Sequence, residues 1–176
     1  SSQAGKYHTE LNVLGGDIAA LTTAMGNVAT SYWDPRPSDQ ILIQEMVVDV
    51  TTHGVVITRT MSTGGPYYTI NYDDNSNDTT TVTSGTSGEL KTVVVYRGAV
   101  DSLRNLQKKL QEVISAVQEL ERLVGHDSLD VEFAISGDGV VHILQVRPLT
   151  TVPFHEMEEW DREVETEIAS ISEKMV

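Results

Sequence analysis

With 176 residues and 39% hydrophobic content, the chain is long enough to bury one core and reads as a single globular domain with a helical appendage. Twelve Lys and Arg against 26 Asp and Glu give a formal net charge of −14, which argues against nucleic acid or an anionic membrane as a general partner; bound phosphate would have to be met by local cations or metal. The absence of cysteine excludes disulfides and cysteine-ligated zinc, no apolar run reaches the ~18 residues of a membrane span, and no signal-peptide pattern opens the chain, so a cytoplasmic location is expected.

The chain opens on Ser1 rather than methionine, which suggests a fragment, and residues 1–10 are small and polar, as in a loop. From Asp17 the pattern turns helical. Ile18, Leu21, Met25, Val28 and Tyr32 recur at spacings of three and four, after Gly15-Gly16 and before Asp34-Pro35-Arg36-Pro37. That stripe is expected to pack on a sheet, with Trp33 packed beside the proline turn. Residues 41–50, ILIQEMVVDV, read as a strand interrupted by Gln44 and Glu45, in which Met46 could serve as core filler. Residues 51–54, TTHG, read as a turn, which makes His53 a turn residue, and 55–59 as the next strand. His8 and His155 fall in segments expected to be exposed, and His126 beside a helix end.

A turn at 62–66, STGGP, leads to a strand at 67–72, YYTINY, and then to Asp73, Asp74 and an Asn-rich stretch that suits a solvated loop. Its spacing lacks the glycine and terminal glutamate of an EF-hand. Two more strands are expected at 79–83 and 90–97 from their threonine and valine content. Asp101 is a candidate cap for a helix with Leu103, Leu106, Leu110, Val113, Ile114, Val117, Leu120 and Val124 on one stripe, ended by Gly125. This helix should back the sheet.

Residues 129–150, LDVEFAISGDGVVHILQVRPLT, are two alternating runs around Gly137-Asp138-Gly139, the pattern of a β-hairpin. Asp130 and Glu132 share one face of the first strand, and Gln145 and Arg147 one face of the second. If Ile135 lies opposite Val140, Asp130 faces Gln145 and His142 points to the opposite face, toward the core. A three-residue connection would instead turn Glu132 away from Gln145. Two carboxylates, an amide oxygen and a guanidinium suit magnesium with the phosphates of ATP. Chemistry alone leaves equally open an amphipathic hairpin with a merely solvated outer face. Beyond it, Pro153 opens an acidic helix with Met157, Trp160, Val164, Ile168, Ile171 and Met175 on one stripe, enough for docking or helical pairing.

The run Asp130-Val-Glu132-Phe133, a glycine turn, then Ile143-Leu-Gln145-Val-Arg147-Pro148-Leu-Thr150 resembles the end of the ATP-grasp nucleotide-binding domain of the phosphoenolpyruvate synthase and pyruvate phosphate dikinase family. Residues 4–13, AGKYHTELNV, extend the resemblance upstream. It implies that Glu132 and Gln145 are metal ligands supported by Asp130, and that Arg147 contacts the terminal phosphates. Gln44, Glu45, Met46 and Val47 would lie beside adenine, and Lys6 would approach phosphate from a loop, although a lysine near a terminus is more readily just solvated. The family's G-L-G-E loop is missing after residue 72, where Asp73 and Asp74 would have to substitute. His53 does not fit the family's phosphohistidine motif, because 54–59 match a strand that follows a turn.

The expectation is therefore an α+β fold, a mainly antiparallel sheet of roughly five to seven strands with packed helices. Residues 1–150 would form an ATP-grasp C-terminal lobe and residues 151–176 an acidic connector helix. The resemblance implies ATP and Mg²⁺ as ligands and, as partners outside this chain, the N-terminal ATP-grasp lobe and the phosphohistidine domain. It implies a dikinase-like phosphotransferase that passes a phosphoryl group from ATP to a histidine on another domain; the lobe alone should show little or no turnover. The alternative is a non-enzymatic nucleotide-binding or oligomerisation module, a homo-oligomer forming through the C-terminal helix.

Overall fold

Alternating apolar residues with β-branched and aromatic side chains build the centre of the molecule. The structure, a computed structural model, describes residues 8–74, 90–98, 106–149 and 161–167. Strands β1 (Val50–Ile57), β2 (Tyr67–Asp73), β3 (Lys91–Tyr96), β4 (Leu129–Ser136) and β5 (Val141–Pro148) form one sheet in the order β3-β2-β1-β4-β5. Every neighbouring pair is antiparallel. Helix α1 spans Ile18–Thr30, α2 spans Lys108–Val124, and residues 161–167 form a short helix, α3. The fold is α+β, with a five-stranded antiparallel sheet and three helices among the described residues.

Residues opposed in antiparallel strands share a face, so the register sorts every side chain. On one face Val56, Ile70, Val131 and Phe133 are buried together with Leu110, Val113, Ile114 and Val117 of α2. Each large apolar side chain buried there contributes about 1.5–3 kcal/mol. Gly54 sits on this face opposite both Tyr72 and Phe133. A Cβ at Gly54 would lie 2.2 Å from the Asn71 carbonyl oxygen, so the strands approach this closely only with glycine there. The other face carries Asn71, Val55, Glu132 and Gln145 in successive strands. α2 ends where expected, with Gly125 in the left-handed conformation.

The chain divides into two compact units, residues 1–47 and 48–176. In the first, Asp17 caps α1 by accepting from the amides of Ala19 and Ala20 at 2.9 and 3.0 Å. None of α1's residues is buried, and its unit holds no strand among the described residues, so the expected sheet-packing stripe is not seen within it. Trp33, expected to pack, is 94% exposed.

Several expected boundaries shift. Residues 41–49 form no strand: β1 begins at Val50, Asp49 takes a left-handed φ of 51° that interrupts an extended run, and Leu42 is 80% exposed. Met46 is likewise exposed rather than core filler. Residues 51–54, expected as a turn, lie within β1, and His53 is a buried strand residue. α2 begins at Lys108 with Gln107 as its cap, so Leu106 precedes it; Asp101 and Leu103 lie outside the described residues. Val124, assigned to its apolar stripe, is exposed. The expected strand at 79–83, and every residue of the last helix's stripe except Val164, also lie outside the described residues. Among the described residues no helix is long and apolar enough to cross a membrane.

Candidate functional site

The β4–β5 hairpin is closed by three residues. The Ser136 amide donates to the Val140 carbonyl at 3.1 Å and the Gly139 amide to the Ser136 carbonyl at 2.8 Å, leaving Gly137-Asp138-Gly139 as the connection. Gly139 has φ +86°, a conformation that favours glycine, at the end of this loop. Asp138 accepts from the Ser136 hydroxyl at 2.5 Å and from the Val140 amide, which lowers its carboxyl pKa.

Ile135 therefore lies opposite Val141, not Val140. Continued without interruption, that register would set Leu144 against Glu132 and Val146 against Asp130. A β-bulge corrects it. Phe133 pairs with Ile143, but the next pair is Glu132 with Gln145, leaving Leu144 unopposed. The extra residue restores the face but carries the register one residue further still: Glu132 faces Gln145 directly, and Asp130 faces Arg147 rather than the expected Gln145. The three-residue turn, ahead of the bulge, also moves His142, which was expected on the opposite side from Gln145. It pairs with Ala134 on the face of Glu132, and its Nε2 lies 3.0 Å from the Ser136 hydroxyl.

Asp130, Glu132 and Arg147 form one charged cluster, with Gln145 opposite Glu132. Arg147 Nη2 donates to Glu132 Oε1, and Arg147 Nε lies 3.5 Å from Asp130 Oδ2. The three charged side chains are 18–25% exposed, while Gln145 is exposed. Asp130 Oδ1 and Arg147 Nε are both buried without a hydrogen-bond partner. Two carboxylates against one guanidinium leave a net negative charge and unused acceptor capacity, which favours an added cation. The donors are carboxylate and amide oxygens, the hard ligands that suit Mg²⁺. No group of three or more His, Cys, Asp or Glu that could hold a metal gathers among the described residues, so these side chains would hold a metal only together with a ligand's oxygens. Beside them on the same face, half-buried Val55 and Ile57 oppose Glu132 and Asp130 and provide an apolar floor.

The other expected site residues stand apart from this cluster in the chain. Gln44, Glu45 and Met46 are exposed and Val47 half-buried, all in the first unit; Lys6 lies outside the described residues. Asp73 and Asp74 are not a solvated loop. Asp73 is buried at the end of β2, and Asp74 accepts from Lys91 at 2.6 Å and Lys109 at 2.9 Å, which lowers its carboxyl pKa.

A second charged cluster was not anticipated. Arg59 is only 4% exposed and uses all its N–H donors: to Asp127 Oδ2 from Nε and Nη2, to the Gly64 carbonyl and Asp161 Oδ1 from Nη1, and to Asp161 Oδ2 from Nη2, at 2.5–3.1 Å. Burial lowers its pKa, but hydrogen bonds and charge from Asp161 and Asp127 outweigh that and raise it. Nearby, Arg97 grips Glu121 of α2 at 2.6 and 3.0 Å and lies 4.5 Å over the Tyr68 ring. The one local signal was a basic residue at the end of a strand; its partners are 68 and 102 residues away. No protein-family model and no curated protein sequence matches the chain.

Proposed function

We propose that the face of the β4–β5 hairpin binds MgATP, and that the chain is the C-terminal lobe of an ATP-grasp nucleotide-binding domain in a dikinase-like phosphotransferase of the phosphoenolpyruvate synthase or pyruvate phosphate dikinase type. The activity of the whole protein would be to pass a phosphoryl group from ATP to a histidine on another domain. The observation that carries this reading is the bulge at Leu144, which gathers Glu132, Gln145, Asp130 and Arg147 on the half-open face of the sheet.

Glu132 and Gln145 would hold the metal with their oxygens. Bound magnesium would neutralise charge on the phosphate oxygens. Arg147 acts on the terminal phosphates by position and charge, with Asp130 orienting its guanidinium; no covalent step falls to these side chains. Val55 and Ile57 keep one flank of the cluster apolar, which lowers the local dielectric and strengthens those contacts.

Isothermal titration calorimetry of MgATP against the wild-type chain and Glu132→Gln tests the reading. Glu132→Gln keeps the shape and removes the charged ligand, so affinity should fall at least tenfold. Equal affinity in the two proteins would sink the assignment.

A further inference from the structure

The guanidinium of Arg147 occupies the carboxylates that the proposed reading assigns to metal. Arg147 Nη2 donates to Glu132 Oε1, and Nε is ion-paired to Asp130 Oδ2 at 3.5 Å. A divalent ion on the Glu132 carboxylate would sit close to the guanidinium held there, and their like charges repel at contact distance. The hold is nevertheless incomplete. Arg147 Nε has no hydrogen-bond partner and Asp130 Oδ1 accepts nothing, so the guanidinium leaves at lower cost than one whose donors are all satisfied.

Building on the proposed MgATP reading, we infer that Arg147 is the site's resident counter-cation: it blocks divalent-ion binding until a polyphosphate draws the guanidinium away from Glu132. A metal ion arriving alone must expel Arg147 into solvent with no new partner. A polyphosphate gives it one, since guanidinium forms bidentate hydrogen bonds with phosphate oxygens. Metal and polyphosphate therefore bind with positive coupling, and by linkage each strengthens the other equally. From the adjacent strand, the same guanidinium offsets the repulsion between the two carboxylates that β4 presents on one face.

The test is Mn²⁺ binding without nucleotide, read by water-proton relaxation, in the wild type, Arg147→Ala, Arg147→Gln and Glu132→Gln, with far-UV circular dichroism reporting the fold. Arg147→Gln keeps a donor toward Glu132 and covers the case in which Arg147→Ala unfolds. The expected result is Mn²⁺ affinity raised roughly five- to tenfold in the Arg147 variants and lowered in Glu132→Gln. Unchanged or weaker Mn²⁺ binding in the folded Arg147 variants, with Glu132→Gln still impaired, would overturn the counter-cation inference and leave the metal site standing. No Mn²⁺ bound by any of the four proteins at millimolar ion would overturn both.

Discussion

Arg59 and Arg147 each sit between two carboxylates, yet they differ in how completely they are satisfied. Arg59 is buried, with every N–H donor engaged, and it joins the end of β1 to Asp127 before β4 and to Asp161 of α3. Arg147 lies on the half-open sheet face with one hydrogen bond to Glu132, a longer ion pair to Asp130 and an unpartnered Nε. A saturated arginine has nothing left to offer a ligand and acts as a structural tie. An under-satisfied one between carboxylates is poised to exchange partners, which is what a site requires.

The contrast is broken most forcefully by truncating each arginine. Arg59→Ala removes a guanidinium that is only 4% exposed together with all its hydrogen bonds to Asp127, Asp161 and Gly64, and should cost about 3–5 kcal/mol in urea unfolding. Arg147→Ala, which removes a guanidinium that is 25% exposed and its hydrogen bond to Glu132, should cost only about 1 kcal/mol while lowering MgATP affinity at least tenfold. Comparable stability losses would erase the distinction between tie and site.

Next in size is the effect of moving the bulge. An alanine inserted after Ile143 lets β5 pair without interruption, placing Gln145 opposite Asp130 and carrying Arg147 beyond Leu129. The apolar side chains still face the core, so the fold should survive and MgATP affinity should fall by roughly tenfold or more, worth about 1.4 kcal/mol. Deleting Leu144 removes the bulge but keeps Glu132 against Gln145, so affinity should stay within a few-fold. Calorimetry on the two variants separates register from composition; equal behaviour would show that alignment does not matter.

Smaller effects come from pH. Burial pushes the Asp127 carboxyl up, but hydrogen bonding and charge from Arg59, with charge from Arg97, outweigh it and leave the carboxyl below its ordinary value. The native state then binds this proton more weakly than the unfolded chain. Its contribution is present above the ordinary carboxylate pKa and is lost as pH falls through the lowered value, so Asp127→Asn should flatten the acid limb of a stability–pH profile. The Tyr68 phenol is pushed up to about 12, chiefly by burial, with Arg97 opposing and Glu121 reinforcing. Here the native state holds the proton more tightly. The contribution is complete below the unfolded value near 10 and fades toward 12, so Tyr68→Phe should remove a late step in phenolate absorbance and soften alkaline destabilisation.

Local alternation made β4 legible: Leu129, Val131, Phe133 and Ile135 are buried, while Asp130 and Glu132 face outward, as period two requires. The start of β1 was not, because Thr51-Thr52-His53-Gly54 has the composition of a turn, and the glycine is there for close approach of Asn71 and Tyr72. Residues 41–49 have strand composition without strand structure, and the left-handed Asp49 breaks the extended run just before β1. That Asp130, Glu132, Gln145 and Arg147 share a face was legible, but their pairing was not. The signal was present: Val141 and Ile143 fall on odd positions and Val146 on an even one, a change of parity that marks an extra residue between them. The Arg59 cluster is assembled from segments far apart in the chain, and no spacing rule reaches that far.

The most direct measurement is a backbone-amide NMR titration of the chain with MgATP, against ATP with magnesium chelated. Magnesium-dependent shifts centred on Glu132, Gln145 and Arg147, with the amides around Arg59 and Asp127 silent, are the predicted result. No magnesium-dependent shift at millimolar ligand would contradict the hairpin site, as would shifts confined to the open cleft of about 610 Å³ lined by Arg97, Glu121, Arg122 and His126.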